Sequence, residues 1–445
     1  MNKFVLRTLF YLFFLAQASV SFSADSLLWT SVKNPENYLK DISIGPEVLK
    51  FEVVDLAKNV LTSNKDKAIS VNLPDGRQIK IVMDDENHKD KKDSLVLSGR
   101  ISGEPFSTVT FSKVKNAIVG DIVSTKGKGG TIYRLKYLNS GVGIIELLNQ
   151  NKLPTEISPL VPSLRTPVDL PSGVQRLQTI KECNCDQNPS AAAAPNEPIK
   201  VLVCYSKAAA DAEYGEGGIN ARIVQAIRET NQSFSYSGAQ LEVQLVGDPE
   251  KENCDIGTFK EQRTILQDLN ALTWVNDGRI DQIQTKRDML KADIVVLVVE
   301  RGDAGGIAHQ MTSSTMNAQF AKYAFAVVAR SVLTGKYGLA HEIGHLMGAQ
   351  HDNESSSSPG AFEYSYGFVE PNGANTTCMK APWMTLMSQR NACGDCANIP
   401  IWSTAKPVEW KLNDGSLCSI MPGKPGKSEN AKTLDETAPI VRGFR

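Results

Sequence analysis

The residues best suited to chemistry in this chain fall in one segment, His341-Glu342-Ile343-Gly344-His345-Leu346-Met347-Gly348-Ala349-Gln350-His351-Asp352. At 3.6 residues per turn, side chains four apart leave a helix from one face, so His341 and His345 can reach a single cation together. Glu342 follows the first imidazole directly and is free to stand beside that cation as a proton acceptor. A continued helix would carry His351 to the opposite face and roughly 9 Å further along the axis. Gly348 resolves this, because glycine takes the left-handed conformation without a Cβ penalty and lets the chain turn back. Three neutral imidazoles suit Zn2+ and leave its fourth tetrahedral position open, as catalytic sites do. HExxH alone arises often by chance. The added glycine and third histidine make it specific, since three of only five histidines in the chain fall in this segment.

The elements around this segment must supply a rigid frame. Ile199 to Tyr205 and Asp293 to Glu300 read as buried strands, and Leu241 to Val246 and Ala324 to Ala329 as further ones. Ile219 to Phe234 and Phe259 to Leu272 have helical spacing, and a helix is expected from about Lys336 into the 340s. This half is therefore α/β, a mixed twisted sheet carrying the site helix. The preceding half is different. Gln78 to Val82, Leu95 to Leu97, Thr108 to Phe111, Ile118 to Val123, Ile132 to Leu135 and Gly143 to Leu147 are short apolar or β-branched runs separated by Gly, Asp, Asn and Lys, the pattern of a mostly-β unit. His88, in a charged stretch, is expected in a solvated loop. A proline-bearing stretch from Pro154 to Pro171 follows, and Asn188 to Pro195 has the composition of a linker. The expected division is 1–23, 24–180, 181–198 and 199–445.

Composition bounds the partners. Lys plus Arg number 48 against 49 Asp plus Glu, so nothing in the charge balance points to nucleic acid. Residues 1–23 read as an export signal, with Lys3 and Arg7 ahead of a short apolar core that is too brief to span a bilayer. A secreted or periplasmic protein without a membrane span is expected. Eight cysteines suit an oxidising compartment, and all lie at or beyond Cys183. Six of them follow Pro198, an even number open to 15 pairings. Cys393-Gly-Asp-Cys396 lacks a second metal-type pair, so these cysteines are expected in disulfides and not on a structural zinc.

The 341–352 segment resembles the zinc signature of metzincins, and Asp352 after the third histidine resembles the reprolysin (adamalysin-like) branch, particularly its bacterial-type secreted members. Val201 to Ala210, Glu229 to Asn231, Ala292 to Leu297, Gly305 to Ala308, Thr385 to Ser388 and Asn430 to Leu434 are similar to landmarks of that family in order. The resemblance covers 199–445, and strand-rich segments before it are loosely similar to the family's pro-segments. It implies a zinc endopeptidase made as a zymogen, in which His341, His345 and His351 hold the metal and Glu342 is the catalytic base. Met387 then matches the methionine beneath the metal, with Met384 as a competitor for that role. Gly306, Ile307 and Ala308 match the cleft strand to which an extended substrate adds. By analogy with related zymogens, Cys183 or Cys185 would fill the open metal position; the alternative is that both join disulfides.

Two departures bear on substrate preference. His309 stands where an aromatic residue is usual and is expected to be a satisfied surface histidine, the alternative being a polar group that faces substrate. Ile401-Trp402-Ser403 replaces the usual tail after the methionine. Protein or peptide substrates and a monomer are expected; calcium is compatible with the sequence, but no spacing marks a site for it. The rival is a non-catalytic binding or adhesion protein on the same fold, against which the intact set of ligands and base speaks. An amidase acting on other substrates is a third reading.

Overall fold

The computed structural model describes residues 27–162 and 197–445, apart from breaks at 41, 57–68, 85–87, 92–93, 128, 140, 248–253, 258, 301, 374–377 and 413. The expected signal segment 1–23 and the junction cysteines Cys183 and Cys185 lie outside the described residues. So does the Asn188 to Pro195 stretch.

The first half is one antiparallel sheet. Its strands are β1 (Trp29–Ser31), β2 (Val48–Leu56), β3 (Ile69–Asn72), β4 (Gln78–Met83), β5 (His88–Lys91), β6 (Ser94–Ile101), β7 (Thr108–Val114), β8 (Ala117–Ser124), β9 (Thr131–Asn139) and β10 (Val142–Leu148), with a short helix α1 (Glu36–Leu39). Their order is β1-β2-β10-β9-β8-β7-β6-β4-β3, with β5 beside β6. A bridge between Leu27 and Ser70 brings the two edges together, so the sheet curls around a core that includes Trp29, Val54, Ile81, Phe111 and Tyr133. Alternating apolar residues made the long strands legible. His88, however, begins β5 and is not in a loop.

The second half is α/β. Its sheet has the order β12 (Val243–Leu245), β11 (Ile199–Tyr205), β14 (Ile294–Val299), β16 (Phe325–Ala329) and β15 (Gly306–Ala308), and β13 (Cys254–Asp255) also pairs with β11. All pairs are parallel except β15 with β16, so β15 is an antiparallel edge. The helices are α2 (Lys207–Ala212), α3 (Glu216–Tyr236), α4 (Ile265–Thr273), α5 (Gln282–Leu290), α6 (Gly338–Leu346) and α7 (Asn430–Val441). The helix expected from Phe259 starts later, because the Thr264 hydroxyl caps it by accepting from the Gln267 N–H. Disulfides join Cys204 to Cys254, Cys378 to Cys418 and Cys393 to Cys396. Asp303 holds the start of α4 by accepting from the Ile265 N–H at 3.0 Å.

The two halves meet where α3 crosses β7 and β8. Val96, Val114 and Val119 pack against Ala221 and Val224. Beside this apolar patch lies a buried polar network. Arg134 binds Asp121 at 2.9 Å and Arg222 binds Glu213 at 3.1 Å, while Arg330 binds Glu213 at 2.8 Å and also pairs with Glu300. Three guanidinium groups thus face three carboxylates, and Glu229 is a fourth acid whose hydrogen-bond donors are neutral, the Gln225 amide at 2.7 Å and the Gly335 N–H at 2.8 Å. Burial, and then the charge of Asp121, push Glu229 up to about 8. Its folded pKa lies above the ordinary 4.5, so the folded protein holds a proton that the unfolded chain releases. The stability of the intact chain is then expected to fall as pH rises from about 4.5 to 8 and to level off above, by at most about 1.4 kcal/mol per pH unit from this group. Denaturation midpoints across that range should show the slope in the native protein and lose it in Glu229→Gln. An unchanged slope in the variant would remove Glu229 as its source.

Candidate metal centre

Helix α6 has close neighbours on every side. A Cβ on Gly344 would stand 2.8 Å from the Trp402 ring and 2.9 Å from Met387 Sδ, so this glycine lets both approach the helix between its two histidines. Trp402 is fixed there by stacking on Phe234 and by donating from Nε1 to Ser233 Oγ at 2.8 Å. The helix ends at Leu346, Gly348 two residues on turns the chain with a φ of 89°, and Gln350–Asp352 forms the short strand β17. His351 is thereby brought back to the other two histidines.

His351 Nε2 lies 3.1 Å from His341 Nε2 and 3.1 Å from His345 Nε2. Two ligands at tetrahedral angles, each about 2.05 Å from zinc, stand about 3.3 Å apart, so this spacing fits a shared ion. The other ring nitrogens settle the protonation of two of them. His341 Nδ1 faces the Leu386 carbonyl at 3.2 Å, and His345 Nδ1 faces Gln310 Oε1 at 2.9 Å and the Ala349 carbonyl at 3.1 Å. Acceptors at Nδ1 put the proton there and leave the lone pair on Nε2. Burial holds all three histidines below the ordinary imidazole pKa, and the neighbouring rings add to this at His345 and His351. Converging lone pairs repel unless a cation joins them. The three side chains therefore fit a bound metal ion, and they form a group able to hold one.

Glu342 lies on the same helix with both carboxylate oxygens buried and without a hydrogen-bond partner. Burial, then the negative charge of Glu156, push its pKa well up. A Cβ on Gly306 would come 2.2 Å from Glu342 Oε1, so only glycine lets β15 pass this close to the carboxylate. Alternation along β15 sorts its side chains. Gly306, Ala308 and Gln310 face α6, whereas Ile307 and His309 face α4. Gln310, which orients His345, went unnoticed in the sequence although this period of two points to it. His309 is a correction, because it is 4% exposed and not on the surface. Its Nε2 is 3.0 Å from Thr273 Oγ1, its ring packs on Tyr323, and burial lowers its pKa to about 4.

Met387 is fully buried in the Thr385–Ser388 turn, where it packs against α6; Met384 lies nearby and lines a cleft beside His341. Asp352 ties the loop of the third histidine to this turn by accepting from the Gln389 N–H at 3.0 Å. One segment near the site comes from the first half of the chain. Thr155 accepts from Gly305 at 2.7 Å, Ile157 donates to Gly306 at 3.3 Å, Leu160 donates to Ala308 at 2.9 Å, and Gln310 donates to Leu160 at 2.6 Å. The proline-bearing stretch thus runs as an extended strand along β15, and parallel to it.

Residues 196–403 match the family model Reprolysin_5, described as metallo-peptidase family M12. With the histidine triad and the relatives below, this defines a metzincin-like zinc metallopeptidase, a hydrolase of the metalloendopeptidase type. The chain is 28% identical over 346 residues to the peptidyl-Asp metalloendopeptidase of Stenotrophomonas maltophilia, an alignment covering 77% of this chain and 72% of that protein. It is also 28% identical over 329 residues to the protein of the same name from Xanthomonas campestris pv. campestris, covering 73% and 68%. Among solved structures, a chain in "Structure of a chaperone-substrate complex" aligns at 18% identity with a TM-score of 0.39, over 56% of this chain and 39% of that one, and it carries no weight for the fold.

Proposed function

We propose that this chain is the precursor of a secreted zinc endopeptidase that cleaves proteins, with acidic residues of the substrate contributing to where it cuts. The observation that carries the reading is the convergence of His341, His345 and His351 Nε2 beside the unpartnered carboxylate of Glu342. In this reading residues 1–23 are a signal peptide, 24–180 a pro-segment, 181–198 a junction that is cut, and 199–445 the peptidase with a metzincin fold. The preference for acidic residues is taken from the name of the relatives.

His341, His345 and His351 would hold Zn2+, which when bound supplies Lewis acidity toward a water and the scissile carbonyl. Gln310 and the Leu386 carbonyl keep the first two rings in the ligating tautomer. The main chain of β15 binds an extended substrate by adding it as a strand, which holds the scissile bond beside Glu342. Glu342 takes a proton from the attacking water and returns it to the leaving amine, two steps that suit a carboxylate whose pKa burial has raised. Met387 closes the floor behind the histidines without ligating.

The test is direct. The processed protein should cleave casein, lose that activity to a chelator, and regain it when zinc is restored. Casein cleavage that resists metal removal would overturn the zinc reading, and no cleavage by zinc-loaded, processed protein would favour a binding protein on this fold.

A further inference from the structure

The cleft beside His341 holds two cations that the chemistry above does not use. Lys336 sits just ahead of α6 and Arg390 just after the Met387 turn, and both line this cleft together with Gln389 and Glu156. Lys336 is 9% exposed; burial and then the neighbouring Arg390 disfavour its charge, while the Glu156 carboxylate favours it. Arg390 is drawn to Glu156 and to Asp395. Its Nε is buried without a partner, while its terminal nitrogens donate to the side-chain oxygens of Asn151 and of Gln150, the latter at 2.7 Å. Glu156, Gln150 and Asn151 belong to the first half of the chain, and Asp395 to the second. If the first half is cut away, Lys336 and Arg390 lose Glu156, Gln150 and Asn151 together. Two cations, with only Asp395 still acting on Arg390, then remain in a wall beside the triad, a setting that favours an incoming carboxylate.

The segment carrying Glu156 already occupies the substrate's place. It adds to the free edge of β15 through the hydrogen bonds from Thr155 to Leu160. Its backbone passes so close that a Cβ on Gly305 would be 3.0 Å from the Pro154 carbonyl oxygen and 3.1 Å from the Glu156 nitrogen. The Glu156 carbonyl accepts from Gln389 Nε2 at 3.1 Å, which sets the residue beside the triad. Pro154 and Pro159 hold the segment extended and offer no N–H of their own. With the segment seated, the cleft retains about 20 Å³, room for roughly one water.

Building on the zinc endopeptidase reading, we propose that Lys336 and Arg390 form the subsite that binds an acidic side chain of the substrate, and that Glu156 fills this subsite in the precursor as an internal mimic of that side chain. The pro-segment then blocks the cleft by strand pairing and by charge together. Its chain direction, parallel to β15, is part of the same blockade.

The test uses wild-type processed protein and labelled peptides spanning residues 150–162. Binding is followed by fluorescence anisotropy in zinc-loaded and in zinc-free protein, so the readout does not depend on turnover. The native peptide should bind both forms, and its Glu156→Gln version about ten- to hundred-fold more weakly, the usual scale for a charge-assisted contact. Equal binding of the two peptides would overturn the proposal. In the loaded enzyme, Lys336→Met and Arg390→Met should each lower kcat/KM for an acidic peptide about ten-fold more than for its neutral twin. Equal losses for both substrates would likewise sink the subsite. An enzyme that is inert but still discriminates between the two peptides would overturn the peptidase reading and leave the subsite standing.

Discussion

Glu342→Ala is expected to keep its zinc and lose about 10²- to 10⁴-fold in kcat/KM, the scale of a general base. The substitution leaves the three imidazoles and their Nδ1 acceptors in place, so metal content should stay at one ion per chain. The stability argument has the opposite sign to the activity argument. Both Glu342 oxygens are buried without a hydrogen-bond donor, and such a group costs folding free energy on the order of 1–3 kcal/mol. Removing it should leave the thermal midpoint unchanged or raise it, despite the small cavity created. The measurement is a paired one, kcat/KM with metal stoichiometry on the processed protein and the thermal midpoint on the intact chain. Loss of zinc along with activity would make Glu342 an organiser of the site and not the proton carrier. Retention of most activity would remove it from the mechanism altogether.

What the sequence disclosed and what it hid follow a physical division. Helix α6 and its exit were legible because the motif depends on local geometry: a period of 3.6, a glycine at positive φ, and a short return to His351. The long strands of the first half were legible because alternation is also local. Three features were not. The segment around Glu156 has no periodicity, and its prolines give it the look of a connector; its order comes from the unpaired edge of β15, about 150 residues away in the chain. Arg134, Arg222 and Arg330 look in the sequence like ordinary surface charges, yet all are buried: β8 brings Asp121 to Arg134 and Arg222, while inside the second half Glu213 pairs with Arg222, and Glu213 and Glu300 pair with the distant Arg330. His309 was judged by what replaces it elsewhere, whereas its strand parity alone sends it toward α4 and Thr273.

The largest effect on the intact chain is expected from Arg134→Ala. This guanidinium, on the first half, makes contacts no other side chain there could replace. It donates to Asp121 at 2.9 Å, to the Ser331 carbonyl at 2.7 Å and to the Thr334 carbonyl at 2.8 Å, the last two on the segment leading into α6. Truncation removes a cation from beside Asp121 and strips two buried carbonyls of their donor, which together should cost about 3–5 kcal/mol. Arg222, 3.5 Å from Asp121, and the Gln225 amide at 3.1 Å relieve only part of the loss. Denaturant unfolding of the intact chain should show the decrease. Asp121→Asn combined with Arg134→Ala should cost less than the two singles added together, because the second change removes the charge that the first strands. Strict additivity would mean that the two groups do not act as a pair. The same energy measures how firmly the first half holds the approach to α6.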